Sequence, residues 1–312
     1  MSALVIALNP AVDCEWRVDV VRAEEKNEIL SEVRWPGGKG INVARWLRWL
    51  GVSARLFLPL GGDTGRELAA GLRSEGIRFV RFPIPDSNRV NVVVTPESGP
   101  QFRFNQTVPR FTRTMARRLV NRASQLAARP GPVVISGTLA FGAPDDSYAR
   151  IAAVAARAGN RFYLDCDRTP FCLALAHGPF LVKPNEHELA QWAGRSLPTL
   201  RDRLKAARAL SRETGGWVLL SRGAKGAVLV RDRDRICLQA AAPPVAVRNT
   251  VGAGDAMLAG AIAAANPDDP SVLLRWAIAT GCAATEVAPG KLPSRRRWRE
   301  LLGAVTVAEV RS

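Results

Sequence analysis

The chain alternates short β-rich runs with longer amphipathic segments over most of its 312 residues. This alternation is typical of a parallel sheet covered by helices, so it predicts an α/β fold. The early runs are almost continuous in apolar residues, as expected of strands buried on both faces. The predicted strands read ALVIAL, ARLFLPL, PVVISG, RFYLDC, PFLVKPN, GWVLLSRG and GAVLVRD. The predicted helices cover residues 64–75, 112–128, 145–158 and 199–214.

Two segments break this rhythm. Residues 14–35 and 88–105 alternate polar and apolar side chains, and the second segment contains a hairpin-like turn at 97–100. The alternation predicts a small, half-exposed sheet standing off the main domain. Because its apolar face must be covered, this sheet would serve as a lid, a dimer surface or both.

Length and composition favour one main domain in the cytoplasm. With 47% hydrophobic residues the chain can bury a large core. The sequence holds no apolar run of about 18 residues, and the start MSALVIALNP lacks the features of a signal peptide. The five cysteines are odd in number and form no CxxC pair, which argues against disulfides and zinc. We therefore expect a soluble cytoplasmic protein without a membrane partner.

The formal charge of +16 raises the question of a nucleic-acid partner. Only six of the 44 basic residues are lysines, and arginines such as Arg45, Arg48 and Arg117 are scattered along the predicted helices. The one dense cluster, SRRRWRE around Arg295 to Arg299, is interpreted as a solvated helix start in preference to a polyanion site. We expect nucleic acid not to be a partner.

The stretch RNTVGAGDAMLAG, residues 248–260, places two glycines and a carboxylate where an apolar helix begins. The first N–H groups of a helix lack internal partners and carry the positive end of its dipole, so they form an anion site. The same dipole would hold Asp255 ionised, ready to accept a proton from a hydroxyl that attacks phosphorus. The alternative is that Asp255 caps the helix and the glycines serve packing.

A second glycine-rich turn, PGGKGINVARWLRWLG at residues 36–51, also leads into a helix, with Asn42 in its first turn. Glycine there permits close approach of the backbone to a polar ligand, and a sugar with many hydroxyls suits such a turn. The alternative is a tight strand-to-helix connection.

Five motifs follow one another along residues 4–290, and they read ALNPAVD, GGKGINVAR, LVKPNEHEL, LSRGAKGAVLV and NTVGAGDAMLAG. In these motifs and their order the chain resembles the ribokinase-like PfkB sugar kinases, in the branch of the phosphofructokinases and tagatose-phosphate kinases. It implies a ribokinase-like three-layer α/β/α sandwich with a small β-sheet lid. The whole chain, 1–312, would be one kinase domain, with lid strands inserted at about 14–35 and 88–105.

The resemblance also assigns the catalytic and nucleotide sites. Asp255 matches the catalytic base, and the N–H groups of Gly252, Ala253 and Gly254 match the anion hole. ATP and Mg²⁺ are the implied cofactors, with Asn185 and Glu188 linked to the magnesium–phosphate network. The remaining nucleotide positions are Lys183 near the phosphates, Ser221, Gly223 and Gly226 beneath the nucleotide, and Ile278 and Cys282 against the adenine. A buried structural cysteine is an equally good interpretation of Cys282.

For the sugar, the matching positions are Asp13, Gly37, Gly38 and Asn42. Lys26, Arg89 and Arg103 match basic residues of the lid strands and suit a phosphorylated sugar. The turn that usually reads GSLPPG is GTLAFG here, at residues 137–142, and keeps Thr138 as a candidate substrate contact. GGKG resembles the fructose 1-phosphate and tagatose-phosphate enzymes, whereas Lys26 with QFRF resembles the minor fructose 6-phosphate kinases.

The resemblance thus implies ATP-dependent phosphorylation of fructose 6-phosphate or fructose 1-phosphate to a hexose bisphosphate, with dimerisation through the lid. Tagatose 6-phosphate or an unphosphorylated sugar is the alternative substrate. An alternative of another class is a non-catalytic protein that senses sugar phosphates or binds polyanions, because fold alone does not fix function.

Overall fold

The computed structural model describes residues 2–264, 266 and 268–310. The strands are β1 Ala3–Ile6, β2 Ala11–Val18, β3 Ser31–Gly37, β4 Ala54–Leu60, β5 Phe79–Pro83, β6 Arg89–Pro96, β7 Phe102–Asn105, β8 Val133–Ser136, β9 Phe162–Asp165, β10 Leu181–Val182, β11 Trp217–Ser221, β12 Ala227–Arg231, β13 Ile236–Ala240 and β14 Val307–Glu309. The helices are α1 Lys39–Trp49, α2 Gly62–Ser74, α3 Arg113–Ala127, α4 Ser147–Arg157, α5 Arg168–Leu175, α6 Glu186–Trp192, α7 Leu200–Thr214, α8 Ala253–Ala263, α9 Pro270–Thr285 and α10 Arg295–Ala304.

The main sheet has the strand order β14-β13-β12-β11-β10-β9-β8-β1-β4-β5. In this order, each neighbouring pair from β11 to the edge strand β5 is parallel, whereas the pairs β11–β12, β12–β13 and β13–β14 are antiparallel. The prediction of a parallel sheet is therefore wrong for the strand GAVLVRD. Residues 222–226 alone connect β11 to β12, and a parallel crossover needs a dozen residues or more.

Helices cover both faces of this sheet. Successive side chains of a strand point to opposite faces, so Leu56 and Leu58 pack into one core and Phe57 into the other. The first core is shared with α1, α2, α8, α9 and α10, and the second with α3 to α7. The predicted α/β/α sandwich is confirmed.

The four predicted helices match α2, α3, α4 and α7 to within two residues at each end. Two of them begin at capping threonines, which explains why their starts are legible in the sequence. The Thr112 hydroxyl accepts a hydrogen bond from the Met115 N–H, and Thr199 forms a capping box with Asp202.

A separate four-stranded sheet, here called the lid, has the order β3-β2-β6-β7. Its central strands β2 and β6 run parallel, from the pair Ala11 and Arg89 to the pair Val18 and Pro96. Residues 19–30 connect β2 to β3 and lie outside both strands, and they include Lys26. The expectation that Lys26 lies on a lid strand is therefore wrong. The polar/apolar alternation does not continue as strand through this exposed connection.

The basic cluster at the C-terminal end is the start of a helix. Ser294 caps α10 by accepting a hydrogen bond from the Arg297 N–H. Arg297 forms two hydrogen bonds with Glu286, at 2.8 and 2.7 Å, and the Arg295 guanidinium lies 4.2 Å from the centre of the Trp49 ring. Arg295 and Arg297 thus contact other parts of the fold, whereas Arg296 is 90% exposed. Across the described residues, no helix is both long and apolar enough to span a bilayer.

Candidate active site

A cavity of about 1500 Å³ lies between the lid and the carboxyl ends of the parallel strands. In open α/β sheets ligands bind at this edge, because helix N-termini and the connecting loops converge there. The predicted site residues on its wall are Asp13, Gly38, Asn42, Arg89, Arg103, Lys183, Asn185, Glu188, Ser221, Gly223, Gly226, Gly252, Ala253, Gly254, Asp255, Ile278 and Cys282. The fold therefore brings together residues that are up to 269 positions apart, from Asp13 to Cys282.

Three predicted residues do not line the cavity, and each has another place. Gly37 lies behind Asp13, and any side chain at position 37 would overlap the Asp13 carboxylate. The Thr138 hydroxyl accepts a hydrogen bond from the Asn9 amide at 3.0 Å. Lys26 lies in the exposed connection between β2 and β3. In the single chain, none of these three residues is placed to contact a ligand in this cavity.

The VGAGD turn begins helix α8, as the sequence predicts. Gly252 is the N-cap residue and has a φ of 79°, in the left-handed region that favours glycine. At Gly254 an added Cβ would lie 3.3 Å from the Lys183 ammonium nitrogen, so glycine keeps the space beside that ammonium open. Gly252, Ala253 and Gly254 all line the cavity, so the positive end of the α8 dipole faces it, while the Ala253 N–H also donates to the Thr250 carbonyl oxygen at 3.4 Å.

Asp255 lies in the first turn of α8 and is only 6% exposed. The Asn42 side-chain amide donates a hydrogen bond to its Oδ2 at 2.9 Å. Burial, reinforced by the nearby charge of Asp165, raises the pKa of Asp255 to about 7. The expectation that the helix start holds this carboxyl ionised is therefore wrong below about pH 7, because desolvation outweighs the Asn42 hydrogen bond and the charges of Lys39 and Lys183. A carboxyl with a pKa near 7 is suited to accept a proton at neutral pH.

Two charged residues at the centre of the cavity wall were missed by the sequence analysis, Lys39 and Asp165. Asp165 is the last residue of β9 and is 1% exposed, and its two carboxylate oxygens each lie 3.2 Å from a lysine ammonium, Lys39 or Lys183. Burial opposes ionisation of Asp165, but the two lysines prevail and lower its pKa, while Asp165 raises the pKa of Lys39. The position of Asp165 at the end of the predicted strand RFYLDC was the available signal.

Asn185 and Glu188 form a capping box at the start of α6. The Asn185 side chain accepts a hydrogen bond from the Glu188 N–H at 2.8 Å, and the Glu188 carboxylate accepts one from the Asn185 N–H at 2.9 Å. The other Glu188 carboxylate oxygen lies 3.6 Å from the Lys39 ammonium. Glu188 is thus fixed in orientation on the cavity wall.

The donor set fits magnesium that arrives with a nucleotide. Among the described residues there is no group of three or more His, Cys, Asp or Glu side chains arranged to hold a metal. Magnesium in phosphoryl-transfer sites is commonly held by one or two carboxylates together with substrate phosphates. Glu188 provides one carboxylate on the cavity wall, with Asp165 nearby on the same wall.

The lid side of the cavity is polar. Asp13 on β2 accepts a hydrogen bond from the Asn91 amide at 2.8 Å. Burial raises the pKa of Asp13 in spite of that hydrogen bond and the nearby positive charge of Arg89. Arg89 on β6 and Arg103 on β7 line the same side of the cavity. This side therefore offers both a carboxylate for hydroxyls and guanidinium groups for an anion.

The opposite side of the cavity is more apolar. Ile278 and Cys282 are one turn apart on α9, are 1% and 8% exposed, and both face the cavity. Burial raises the pKa of Cys282 to about 11, which keeps it a thiol and suits a wall residue. Ser221 ends β11, and the turn from Gly223 to Gly226 continues the wall.

Comparison with known proteins places the chain in context. Residues 7–289 match the model of the pfkB family of carbohydrate kinases. The chain is 33% identical over 279 residues to the 1-phosphofructokinase of Xanthomonas campestris, covering 88% of this chain and 86% of that protein. It is also 33% identical over 285 residues to the ATP-dependent 6-phosphofructokinase isozyme 2 of Escherichia coli, covering 90% and 91%. The crystal structure of phosphofructokinase-2 from Escherichia coli in complex with substrates and products superposes with a TM-score of 0.88 at 30% identity, covering 97% and 99%.

Proposed function

The chain belongs to the pfkB family of carbohydrate kinases, and from this membership we propose that it transfers the γ-phosphoryl group of ATP to a ketohexose phosphate. The products are ADP and a hexose bisphosphate. One observation carries the proposal. A single cavity combines the buried carboxyl of Asp255 at a helix N-terminus with two arginines of the lid, Arg89 and Arg103.

Asp255 acts as the general base. It takes the proton of the sugar hydroxyl as that oxygen forms its bond to the γ-phosphorus and the bond to the ADP oxygen breaks. Backbone N–H groups of Gly252, Ala253 and Gly254 donate hydrogen bonds to the oxygens of the transferring group, where negative charge is concentrated. Lys183 and Lys39, both on the cavity wall, supply positive charge beside the same group.

The nucleotide lies along α9 and the β11–β12 turn. Ile278 and Cys282 pack against the adenine, and Ser221, Gly223 and Gly226 lie beneath the nucleotide. Asn185 and Glu188 would help to hold the magnesium ion that accompanies the phosphates, and this ion would neutralise phosphate charge during transfer. Covering of the cavity by the lid keeps water from the γ-phosphoryl group and so limits hydrolysis of ATP.

Asp13 binds sugar hydroxyls, together with Gly38 and Asn42 of the GGKG turn. Arg89 and Arg103 bind the phosphate that the sugar already carries, since a guanidinium matches phosphate oxygens with paired donors. The acceptor is fructose 6-phosphate or fructose 1-phosphate. Tagatose 6-phosphate and an unphosphorylated sugar are the alternatives, and the second would leave both lid arginines without a ligand.

Measurement of ADP release with ATP and magnesium across a panel of acceptors tests the proposal. The panel contains fructose 6-phosphate, fructose 1-phosphate, tagatose 6-phosphate, fructose, tagatose, ribose and adenosine. We expect the highest kcat/KM with a phosphorylated ketohexose. The highest kcat/KM with an acceptor that carries no phosphate would contradict the proposed substrate class. Absence of turnover with every acceptor, together with a salt-sensitive mobility shift of duplex DNA by the protein, would support the non-catalytic alternative.

Arg103→Leu separates the phosphate contact from the rest of the site. With the best phosphorylated acceptor, KM should rise about 10-fold or more, because a charge-assisted hydrogen bond to phosphate is lost. Arg296→Leu removes a side chain that is 90% exposed on α10 and serves as the control for loss of one positive charge. Equal KM values in the two variants would show that Arg103 does not bind the acceptor.

We also propose that the chain forms a homodimer through the lid. The lid and its connections expose several large apolar side chains, and such a surface usually marks an interface. These are Ile29 at 47%, Leu30 at 57%, Val33 at 51%, Phe102 at 38% and Phe104 at 59% exposed.

A further inference from the structure

Arg45 is the one arginine of helix α1 that is buried. Its side chain is 5% exposed, whereas Arg48, one turn further along the same helix, is exposed. A buried arginine is costly unless its donors are paired, so its partners indicate what it does. Sequence reasoning counted Arg45 among the scattered helix arginines, and neither the mechanism nor the family comparison gives it a role.

The Arg45 guanidinium contacts three parts of the fold. Its Nε and Nη2 donate to the two carboxylate oxygens of Glu75, at 2.6 and 2.9 Å, just after the end of α2. Nη2 also donates to the carbonyl oxygen of Pro36, at 2.7 Å, in lid strand β3. These contacts fix the plane of the guanidinium from the side remote from the cavity.

The remaining contact points toward the active site. Arg45 Nη1 donates to Asn42 Oδ1 at 2.8 Å, and the Asn42 Nδ2 in turn donates to Asp255 Oδ2 at 2.9 Å. A guanidinium has donors only, so the Asn42 amide must present its oxygen to Arg45 and its NH₂ group to Asp255. Without Arg45, the Asn42 amide is free to rotate by about 180° and place its oxygen against the Asp255 carboxylate.

We infer that Arg45 is a positioning residue for catalysis, which fixes the orientation of the Asn42 amide so that the base Asp255 always receives a hydrogen-bond donor. The inference rests on the proposed function only where it gives Asp255 the role of base. The orientation of the Asn42 amide is a property of the substrate-free chain.

A pH profile tests this role, because a donor to a carboxylate stabilises its ionised form. The other charged groups that face Asp255 are Asp165, Lys39 and Lys183, from β9, α1 and the end of β10, and they are unchanged when Arg45 is replaced. In Arg45→Met we expect the acidic limb of the kcat/KM profile to move to higher pH by about one pH unit. Activity at pH 6 should then fall ~10-fold, with most of the loss recovered at pH 9.

Arg48→Met is the matched control. Arg48 lies on the same helix and its Nε donates to the Gly76 carbonyl at 3.0 Å, next to Glu75, but it has no contact with Asn42. The control should keep the pH profile of the parent protein. Because Arg45→Met leaves Glu75 without its partner, Arg45→Lys is the second variant. A lysine can pair with Glu75 but cannot reach Asn42 and Pro36 at the same time, so we expect the same displaced profile with the fold retained.

A double-mutant cycle identifies the route. Asn42→Ala should displace the profile by itself, and adding Arg45→Met to it should displace the profile little further, because both changes remove the same donor. Arg45 also lies close enough to Asp13 for its charge to lower the pKa of that carboxyl. An undiminished effect of Arg45→Met in the Asn42→Ala background would therefore overturn the inference in favour of direct electrostatics.

A measurement without substrate separates this inference from the proposed function. The Asp255 carboxyl carbon is followed by NMR titration of aspartate-labelled protein and assigned by its loss in Asp255→Asn. We expect a higher pKa in Arg45→Met than in Arg48→Met. Equal pKa values would overturn the inference, whatever acceptor the enzyme uses, and absence of turnover in the parent protein would overturn only the proposed function.

Discussion

Asp255 is buried so fully that its protonation should control the rate near neutral pH. Because burial raises the pKa of this proposed base to about 7 in the substrate-free chain, Asp255 is mostly protonated below that pH and would then be inactive as a base. We expect kcat/KM to rise with pH through about 7 and to level above it, since kcat/KM reports the groups of the free enzyme. A kcat/KM that is flat from pH 5 to 8 would contradict this assignment.

At the scale of single residues, motif order predicted more than side-chain contacts. Most of the predicted residues line one cavity, because glycine turns and strand ends leave a legible pattern in the sequence. Contacts between distant side chains leave none. The bond from Asn42 to Asp255 spans 213 positions, and the ion pair of Lys39 and Asp165 spans 126.

Burial of charge was the property that the sequence predicted least well. Arg45 has the same residue type and nearly the same setting in α1 as Arg48, yet one is buried and the other exposed. The difference comes from Glu75 and Pro36, which meet Arg45 only in the folded chain. The same holds for the pKa of Asp255, which is raised because desolvation exceeds the effects of the Asn42 hydrogen bond and the two nearby lysines.

Among the secondary-structure elements, the lid offers the clearest prediction. Phe104 on β7 is 59% exposed, and its neighbour Arg103 faces the cavity because successive side chains alternate between faces. Phe104→Glu places a charge in the proposed dimer interface and should shift the mass measured by light scattering from dimer to monomer at micromolar concentration. A parent protein that is already monomeric at that concentration would contradict the lid dimer.

A control on the opposite face of the same strand tests whether the loss of the dimer is specific to the Phe104 face. Asn105→Asp also adds a negative charge to β7, but on the cavity face, and should leave the mass unchanged. The two variants together distinguish loss of an apolar contact from general charge effects.

Element types were predictable where one face of the chain is buried and its period is regular. Helices α2, α3, α4 and α7 have capped ends or a clear apolar stripe, and strands such as β4 and β8 are almost continuous in apolar residues. The pairing of β13 with β14 and the parallel pairing of β2 with β6 were not predicted, since these partners are distant in sequence. The antiparallel pairing of β12 with β11 and β13 was missed although the short connections between these strands indicate it.

At the scale of the whole molecule, the 44 basic residues exceed the 28 acidic residues and give the net charge of +16. Several arginines are paired with carboxylates and so do not contribute to this excess, as in the pairs of Arg45 with Glu75, Arg297 with Glu286, and Arg34 with Glu67. The cavity wall itself carries basic side chains, most of them arginines, and carboxylates in nearly equal numbers. The arrangement is consistent with an enzyme that binds small anionic substrates.

Replacement of Asp255 by asparagine should also change the free energy of unfolding of the whole molecule. A carboxyl whose pKa is raised on folding, from 3.8 to about 7, contributes stability that is present below about pH 4 and lost as the pH rises through about 7. Asparagine can still accept the hydrogen bond from Asn42 and carries no buried charge. At pH 8 we expect the variant to be more stable than the parent protein, by an amount on the order of 2 kcal/mol.

Turnover of Asp255→Asn is the measurement that tests the central claim most directly. With saturating ATP, magnesium and the best acceptor of the panel, we predict that kcat falls ~10²-fold or more, which is the usual contribution of a general base. The thermal midpoint at pH 8 should rise, so the loss of turnover cannot come from unfolding. Near-normal turnover by a variant of undiminished stability would contradict the assignment of Asp255 as the base that accepts the proton of the sugar hydroxyl.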